Sequence, residues 1–246
     1  MKRIPWFISI TVLLVGFSIL TYSLQIIIFH KSNDTFFYML QDLSFVPIQV
    51  LMVTFIIDRL MQRKEKQRLM KKIHMVIGVF FNEMGLDLVN QLKKFILNFD
   101  DTRTSLLVTP QWTDKDFKTA TQNLKTSHFD IELKRDNLEN LRELLKDKRN
   151  TIIKILENSN ILEHTHFTDM LLAVSHLADE LIHRETLVDL PENDLKHLTI
   201  DFQRVMKYIF SEWLSYMLHL KNDYPYLFSL AIRINPCDEE SSVIIE

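Results

Sequence analysis

The chain has 246 residues, 47% of them hydrophobic and only 3 of them glycine, where average usage near 7% would give roughly 17. Gly16, Gly78 and Gly85 stand alone, so no G-x-G-x-x-G or G-x-x-x-x-G-K phosphate loop exists; nucleotide-binding α/β folds and turn-rich β folds are disfavoured, and the expected class is all-α. The net charge of −3 conceals three parts, with nets of +1 over residues 1–61, +5 over 62–72 and −9 over 73–246, and the single Cys237 allows no internal disulfide.

Ile4 to Phe29 is a run of 26 uncharged residues, which as a helix would measure ~39 Å against a hydrocarbon core of ~30 Å. It predicts a first transmembrane span, about 4–29, retained as an anchor, because a signal peptide has an apolar region of only ~7–15 residues. Trp6 and Tyr22 are suited to interfacial positions. Leu43 to Ile57 is uncharged for 15 residues and is extended forwards to Met61, giving a second span at about 43–61. Thr35 to Gln41 is then an interfacial aromatic turn, Asp42 a surface residue available as a helix N-cap, and Pro47 a first-turn proline. The competing reading places Asp42 inside the bilayer, where it and Gln49 would line a pore.

Lys2 and Arg3 precede the first span, Lys31 lies between the spans, and seven basic residues fall between Arg59 and Lys72. Both termini are therefore expected in the cytoplasm of an inner-membrane protein, with a short outer loop at His30 to Asp34. Arg63, Lys64, Lys66, Arg68, Lys71 and Lys72 form a juxtamembrane collar suited to anionic lipid headgroups, at ~1 kcal/mol each. Nucleic acid is disfavoured as a partner, because the residues that follow carry a net of −9.

Residues 73–246 predict one all-helical domain, an antiparallel bundle of four or five helices. No proline occurs between Pro47 and Pro110, so the second span is expected to continue as one helix to about Asn98. Its part from Ile73 to Leu92 is apolar enough to require cover nearly all round, which also argues for a homo-oligomer. Gly78 and Gly85, two turns apart, share a face with His74 and Asn82 and mark a close helix approach. Asn98 to Thr113 reads as a loop. Asp130 to Asn158 reads as a helix with a seam from Ile131 to Ile155, and Thr168 to Glu185 and Asp194 to Leu220 as further helices, the last with an apolar stripe from Leu195 to Leu220. Pro225 suits a first helical position with Asp223 as cap, predicting a short terminal helix.

On the helix from Thr168, Asp169, His176, Glu180 and His183 share a face opposite Met170, Val174, Leu177 and Leu181. Glu180-x-x-His183, repeated upstream as Glu163-x-x-His166, is the carboxylate–histidine step of di-iron bundles, so this face is the candidate metal site of a metal-dependent enzyme, weighed against an ordinary solvated face. The stripe His197, Asp201, Arg204, Tyr208, Glu212, Ser215 and His219 lines the polar side of the final long helix, with no nucleophile–base spacing. Cys237, in an acidic tail, is disfavoured as a nucleophile, and neither a catalytic residue nor a cofactor is assigned.

Three segments carry a resemblance: EWLSYMLHLKNDYPYLFSLAIRINP, LEHTHFTDMLLAVSHLADEL and MVIGVFFNEMG. The chain from Asp42 onward resembles an uncharacterised family of prokaryotic two-span membrane proteins with a C-terminal YPYLFSLA-x-R-x-NP motif. The resemblance implies a membrane-anchored cytoplasmic helical domain and brings no activity with it. Such proteins tend to read Asn-Pro-Phe where this chain has Asn235-Pro236-Cys237, which argues against a shared role for the cysteine. The function expected is that of a membrane-anchored, oligomeric regulatory, scaffolding or sensory module, with an ion channel as the alternative.

Overall fold

A computed structural model describes residues 6–29 and 32–244, with side-chain surroundings for 13–28, 33–162 and 164–244. Lys2, Arg3, His30 and Lys31, and the side chains of Trp6 and Glu163, lie outside the described residues. The chain divides into two compact units, Met1–Lys66 and Gln67–Glu246, with the division inside the basic block.

The first unit holds α1 (Trp6–Phe29) and most of α2 (Ser32–Phe80). Thr35 to Gln41 is helical, not a turn, so Asp42 is no N-cap and Pro47 lies in the helix interior. The early start is understandable: Asp34 supplies an acid to the first turn, where the helix dipole favours it, and Met39, Leu40 and Gln41 are good helix formers. Tyr22 Oη on α1 donates to Asp42 Oδ2 on α2 at 3.1 Å. Apolar side chains of this unit point outward; Leu51, for example, is 71% exposed.

Helical structure is continuous from Asn33 to Phe95, because α2 is followed by a π turn (Phe81–Gly85), α3 (Leu86–Leu92) and a 3-10 turn (Lys93–Phe95). The second unit continues with α4 (Phe99–Arg103), α5 (Asp114–Thr126), α6 (Arg135–Leu156), α7 (Thr165–Ile182), α8 (Glu192–Asp223) and α9 (Pro225–Arg233). The class is all-α: among the described residues there is no β-sheet, only one antiparallel bridge between Ile96 and Ile131.

Several boundaries differ from expectation. The stretch Asn98 to Thr113 contains the short α4. α5 was not anticipated, although Thr113 N donates to Asp116 Oδ2 at 2.6 Å in a capping box and Phe117, Ala120 and Leu124 recur at helical spacing. α6 begins at Arg135 rather than Asp130, because the preceding residues are held extended: Leu97 N donates to Asp130 O at 2.9 Å and Glu132 N to Phe95 O at 2.8 Å. Pro225 opens α9, but the residue before it is Tyr224; Asp223 instead binds His219.

The helix covered nearly all round is α8, not Ile73 to Leu92. α8 packs against α3, α5, α7 and α9, and buries residues on several sides, including Phe202, Val205, Phe210, Trp213 and Met217. The segment from Ile73 buries Ile73, Ile77, Phe80 and Phe81 but leaves Met75 66% and Val79 53% exposed. An aromatic cluster joins the two: Phe81 meets the Trp213 ring edge-on at 5.2 Å and stacks on Tyr216 at 5.1 Å, while Phe80 meets Phe167 of α7 at 5.6 Å and ties that helix to the same cluster. Such pairs add ~0.5–1.5 kcal/mol each beyond area burial.

Candidate functional site

The polar stripes of α7 and α8 meet. The two helices run antiparallel, since His176 lies beside Asp201 and Glu180, further along α7, lies beside His197, earlier on α8. The connection between them turns through Asp189, whose φ of 51° is a conformation that Asp tolerates better than most residues. Each helix therefore contributes one histidine and, four residues on, one carboxylate to a single cluster. His176 Nε2 and His197 Nε2 each lie 3.4 Å from Asp201 Oδ2, and lie 3.8 and 3.7 Å from Glu180 Oε1.

Arginines hold the outer oxygen of each carboxylate. Arg184 Nη1 donates to Glu180 Oε2 at 2.6 Å, and its Nε and Nη2 donate to Asp194 at 3.0 and 2.6 Å. Arg204 Nη1 donates to Asp201 Oδ1 at 2.9 Å. The Arg184 hydrogen bonds hold the Glu180 and Asp194 carboxyls below their usual range, and those carboxylates in turn raise the arginine. Asp201 is only 3% exposed, and its inner oxygen Oδ2 makes no hydrogen bond. The histidines are about half exposed.

Of the expected metal ligands, His176 and Glu180 are in this cluster; Asp169 and His183 are not. Asp169 is exposed near the start of α7, and His183 caps its end, with Nδ1 2.8 Å from Asp179 O. Of the upstream repeat, His166 is exposed and is not among the clustered residues. His197 and Asp201 were legible only as part of the polar stripe on α8, and that stripe is partly turned inward, although His197 stays exposed. Asp201 and Glu212 are buried, His219 nearly so, while Ser215 and Arg204 remain exposed.

A second histidine group lies further along α8. His74 stacks on His219 at a ring separation of 3.6 Å, and His219 Nδ1 is 2.9 Å from Asp223 Oδ2. Burial holds His74, His164 and His219 below the ordinary imidazole value, His74 at about 4. Glu212, buried with its Oε1 unbonded, is pushed up to about 7 by desolvation. Cys237 is also buried, and burial first, rather than the acidic tail, pushes its thiol up to about 12.

The remaining expected residues are placed as follows. Arg63, Lys64, Lys66, Arg68, Lys71 and Lys72 lie on α2 and are exposed, as is Gln49. A Cβ added at Gly78 would lie 3.3 Å from Tyr216 Oη of α8. At Gly85 the space beside the backbone is filled by rings of its own helix, Phe81 at 2.6 Å and Phe80 at 2.9 Å from an added Cβ.

Residues 69–233 match the family described as uncharacterized protein MJ1433, C-terminal helical domain, and residues 2–61 match its companion, the MJ1433 N-terminal helical domain. Uncharacterized protein MJ1433 of Methanocaldococcus jannaschii is 40% identical over 243 residues, spanning 98% of this chain and 97% of that protein. No solved structure matches the chain. With both helical domains matched and nearly the whole length aligned, the chain belongs to the MJ1433 family.

Proposed function

We propose that the chain is a membrane-anchored, oligomeric regulatory or sensory module, with spans at about 4–29 and 43–61 and the helical domain, like both termini, in the cytoplasm. The observation that carries this reading is the outward-facing apolar surface of the first unit: the most apolar window of the Asn33–Phe95 helical stretch contains no buried residue, and Leu13 to Ile28 is a second apolar helix. Soluble monomers rarely expose contiguous apolar patches beyond a few hundred Å². A helix that is apolar all round belongs in a protein core or a bilayer. The basic residues from Arg63 to Lys72 meet anionic headgroups, and the Tyr22–Asp42 hydrogen bond gives Asp42 a role in joining α1 to α2. The oligomer is supported by exposed Met75 and Val79, which line a groove of about 590 Å³ with Thr151, Lys154 and Ile155.

Alkaline carbonate washing of membranes tests the anchor: the full chain is expected in the pellet, and its release to the supernatant refutes the reading. Trypsin should digest residues 73–246 in inverted vesicles and spare them in right-side-out vesicles. Replacing the six basic residues of the collar by Gln should mix the two orientations. A monodisperse monomer in mild detergent overturns the oligomer.

A further inference from the structure

We propose that His176, Glu180, His197 and Asp201 bind one divalent first-row transition-metal ion, of which zinc is the reference, and that this ion clamps α7 to α8. The argument begins with spacing. Ligands ~2.1 Å from a tetrahedral ion stand ~3.4 Å from one another. The four histidine–carboxylate separations here are 3.4, 3.4, 3.8 and 3.7 Å, and suitable ligand atoms of His176, Glu180 and His197 all lie within 4.8 Å of one another. Asp201 Oδ2, 3.4 Å from each imidazole, is the fourth donor.

The orientation of the carboxylates is the second step. Each has its outer oxygen engaged by an arginine, Glu180 Oε2 by Arg184 and Asp201 Oδ1 by Arg204, which leaves Glu180 Oε1 and Asp201 Oδ2 facing the imidazoles. Outer groups that fix a ligand's orientation in this way are the usual companions of a metal site. The third step is an unmet need. Asp201 Oδ2 is buried, makes no hydrogen bond, and sits between two ring nitrogens; a buried carboxylate oxygen left so is costly unless something positive completes it. The half-exposed histidines leave an entry route for an ion.

The chemistry of the donors selects the class of ion. Two imidazole nitrogens and two carboxylate oxygens, with no sulfur, suit borderline divalent ions such as Zn²⁺ or Co²⁺ better than Cu⁺, which prefers thiolates, or Mg²⁺, which prefers oxygen alone. Four protein ligands complete a tetrahedron and leave no position for a substrate or water, as in structural rather than catalytic zinc sites. The site thus adds a cross-link between two helices that already pack on each other and are connected by the turn through Asp189, and it stands independently of the membrane reading above.

The test uses the full chain in mild detergent, stripped with a chelator and titrated with Zn²⁺ by calorimetry. One ion per chain is expected. His176→Ala and His197→Ala should each weaken binding by more than the ~10–100-fold that loss of a second-shell partner costs, and Arg204→Gln by about that amount. Saturating Zn²⁺ should raise the thermal midpoint of the parent chain and leave that of His197→Ala unmoved. Co²⁺ should give the intense visible bands of a tetrahedral site; weak octahedral bands overturn the closed four-ligand geometry. Absence of saturable binding, or binding unaffected by both histidine variants, overturns the site altogether. Both histidines are half exposed, so their variants should retain the parent helical circular dichroism; if either does not, His197→Gln carries the same comparison.

Discussion

Replacing Glu212 by Gln removes a charge while keeping the shape. The side chain is 4% exposed, its Oε1 makes no hydrogen bond, and burial pushes the carboxyl from 4.5 up to about 7. In the unfolded chain the same group ionises near 4.5. Between that pH and about 7 the folded state therefore holds a proton that the unfolded state has released, and stability falls as pH rises through the window. Below 4.5 both states are protonated and the contribution is constant. The displacement to about 7 is worth about 3 kcal/mol at pH 8, or ~6–12 °C in the thermal midpoint of a chain of this size. Glu212→Gln should accordingly match the parent at pH 4.5 and exceed it by that margin at pH 8. Melts of the full chain in mild detergent, followed by near-ultraviolet circular dichroism of the buried aromatic cluster, measure both. An offset that does not change between pH 4.5 and 8 refutes the reasoning. The acid side has an opposite origin. His74, His164 and His219 are neutral in the fold and protonate on unfolding below their ordinary value, so stability should also fall as pH drops from 6.5 toward 4, in parent and variant alike.

Gly85→Ala should destabilise by about 1 kcal/mol, because overpacking against Phe80 and Phe81 costs ~1–3 kcal/mol and the helical gain returns only ~1. Gly78→Ala, which only nudges the tip of Tyr216, should be neutral or slightly stabilising, and denaturation midpoints in the reverse order refute both. Asn235 is buried, donates to Leu106 O at 2.9 Å and accepts from Cys237 N at 3.0 Å; Asn235→Ala leaves Cys237 N unpaired and takes one of its two donors from Leu106 O, which keeps Val108 N, and should cost about 2 kcal/mol in urea denaturation. Cys237, buried and with its thiol pushed up to about 12, should resist iodoacetamide at pH 8 until the domain is unfolded, and rapid alkylation of the native chain would contradict its placement.

Much of the fold was legible because apolar periodicity is a local signal. The buried side of α7, with Met170, Val174, Leu177 and Leu181, and the buried seam of α6 from Leu138 to Ile155 follow from spacing alone. The boundary of α6 did not, since the bridge between Ile96 and Ile131 competes with the helix and its two partners are 35 positions apart. α5 escaped for a different reason: it is largely polar, and only the Thr113–Asp116 cap and three apolar residues announce it.

The candidate site marks the same limit more sharply. His176-x-x-x-Glu180 and His197-x-x-x-Asp201 can each be found by reading along one helix, and each alone is indistinguishable from a solvated face. Glu180-x-x-His183 runs along α7, where His183 turns back to Asp179 O, whereas the partner of Glu180 is His197 across on α8.

By itself the sequence determined the helical class, the apolar first unit, the basic block and the scarcity of turns, all of which depend on composition and on neighbours within a few residues. Only the tertiary structure decided that α8 is the buried centre, that Gly85 is filled by its own helix's rings, and that two polar stripes face each other around an unsatisfied carboxylate oxygen. The physical reason is that a helix's polar side becomes an interior when another helix covers it, and the packing that covers it is set by side chains far away in the chain.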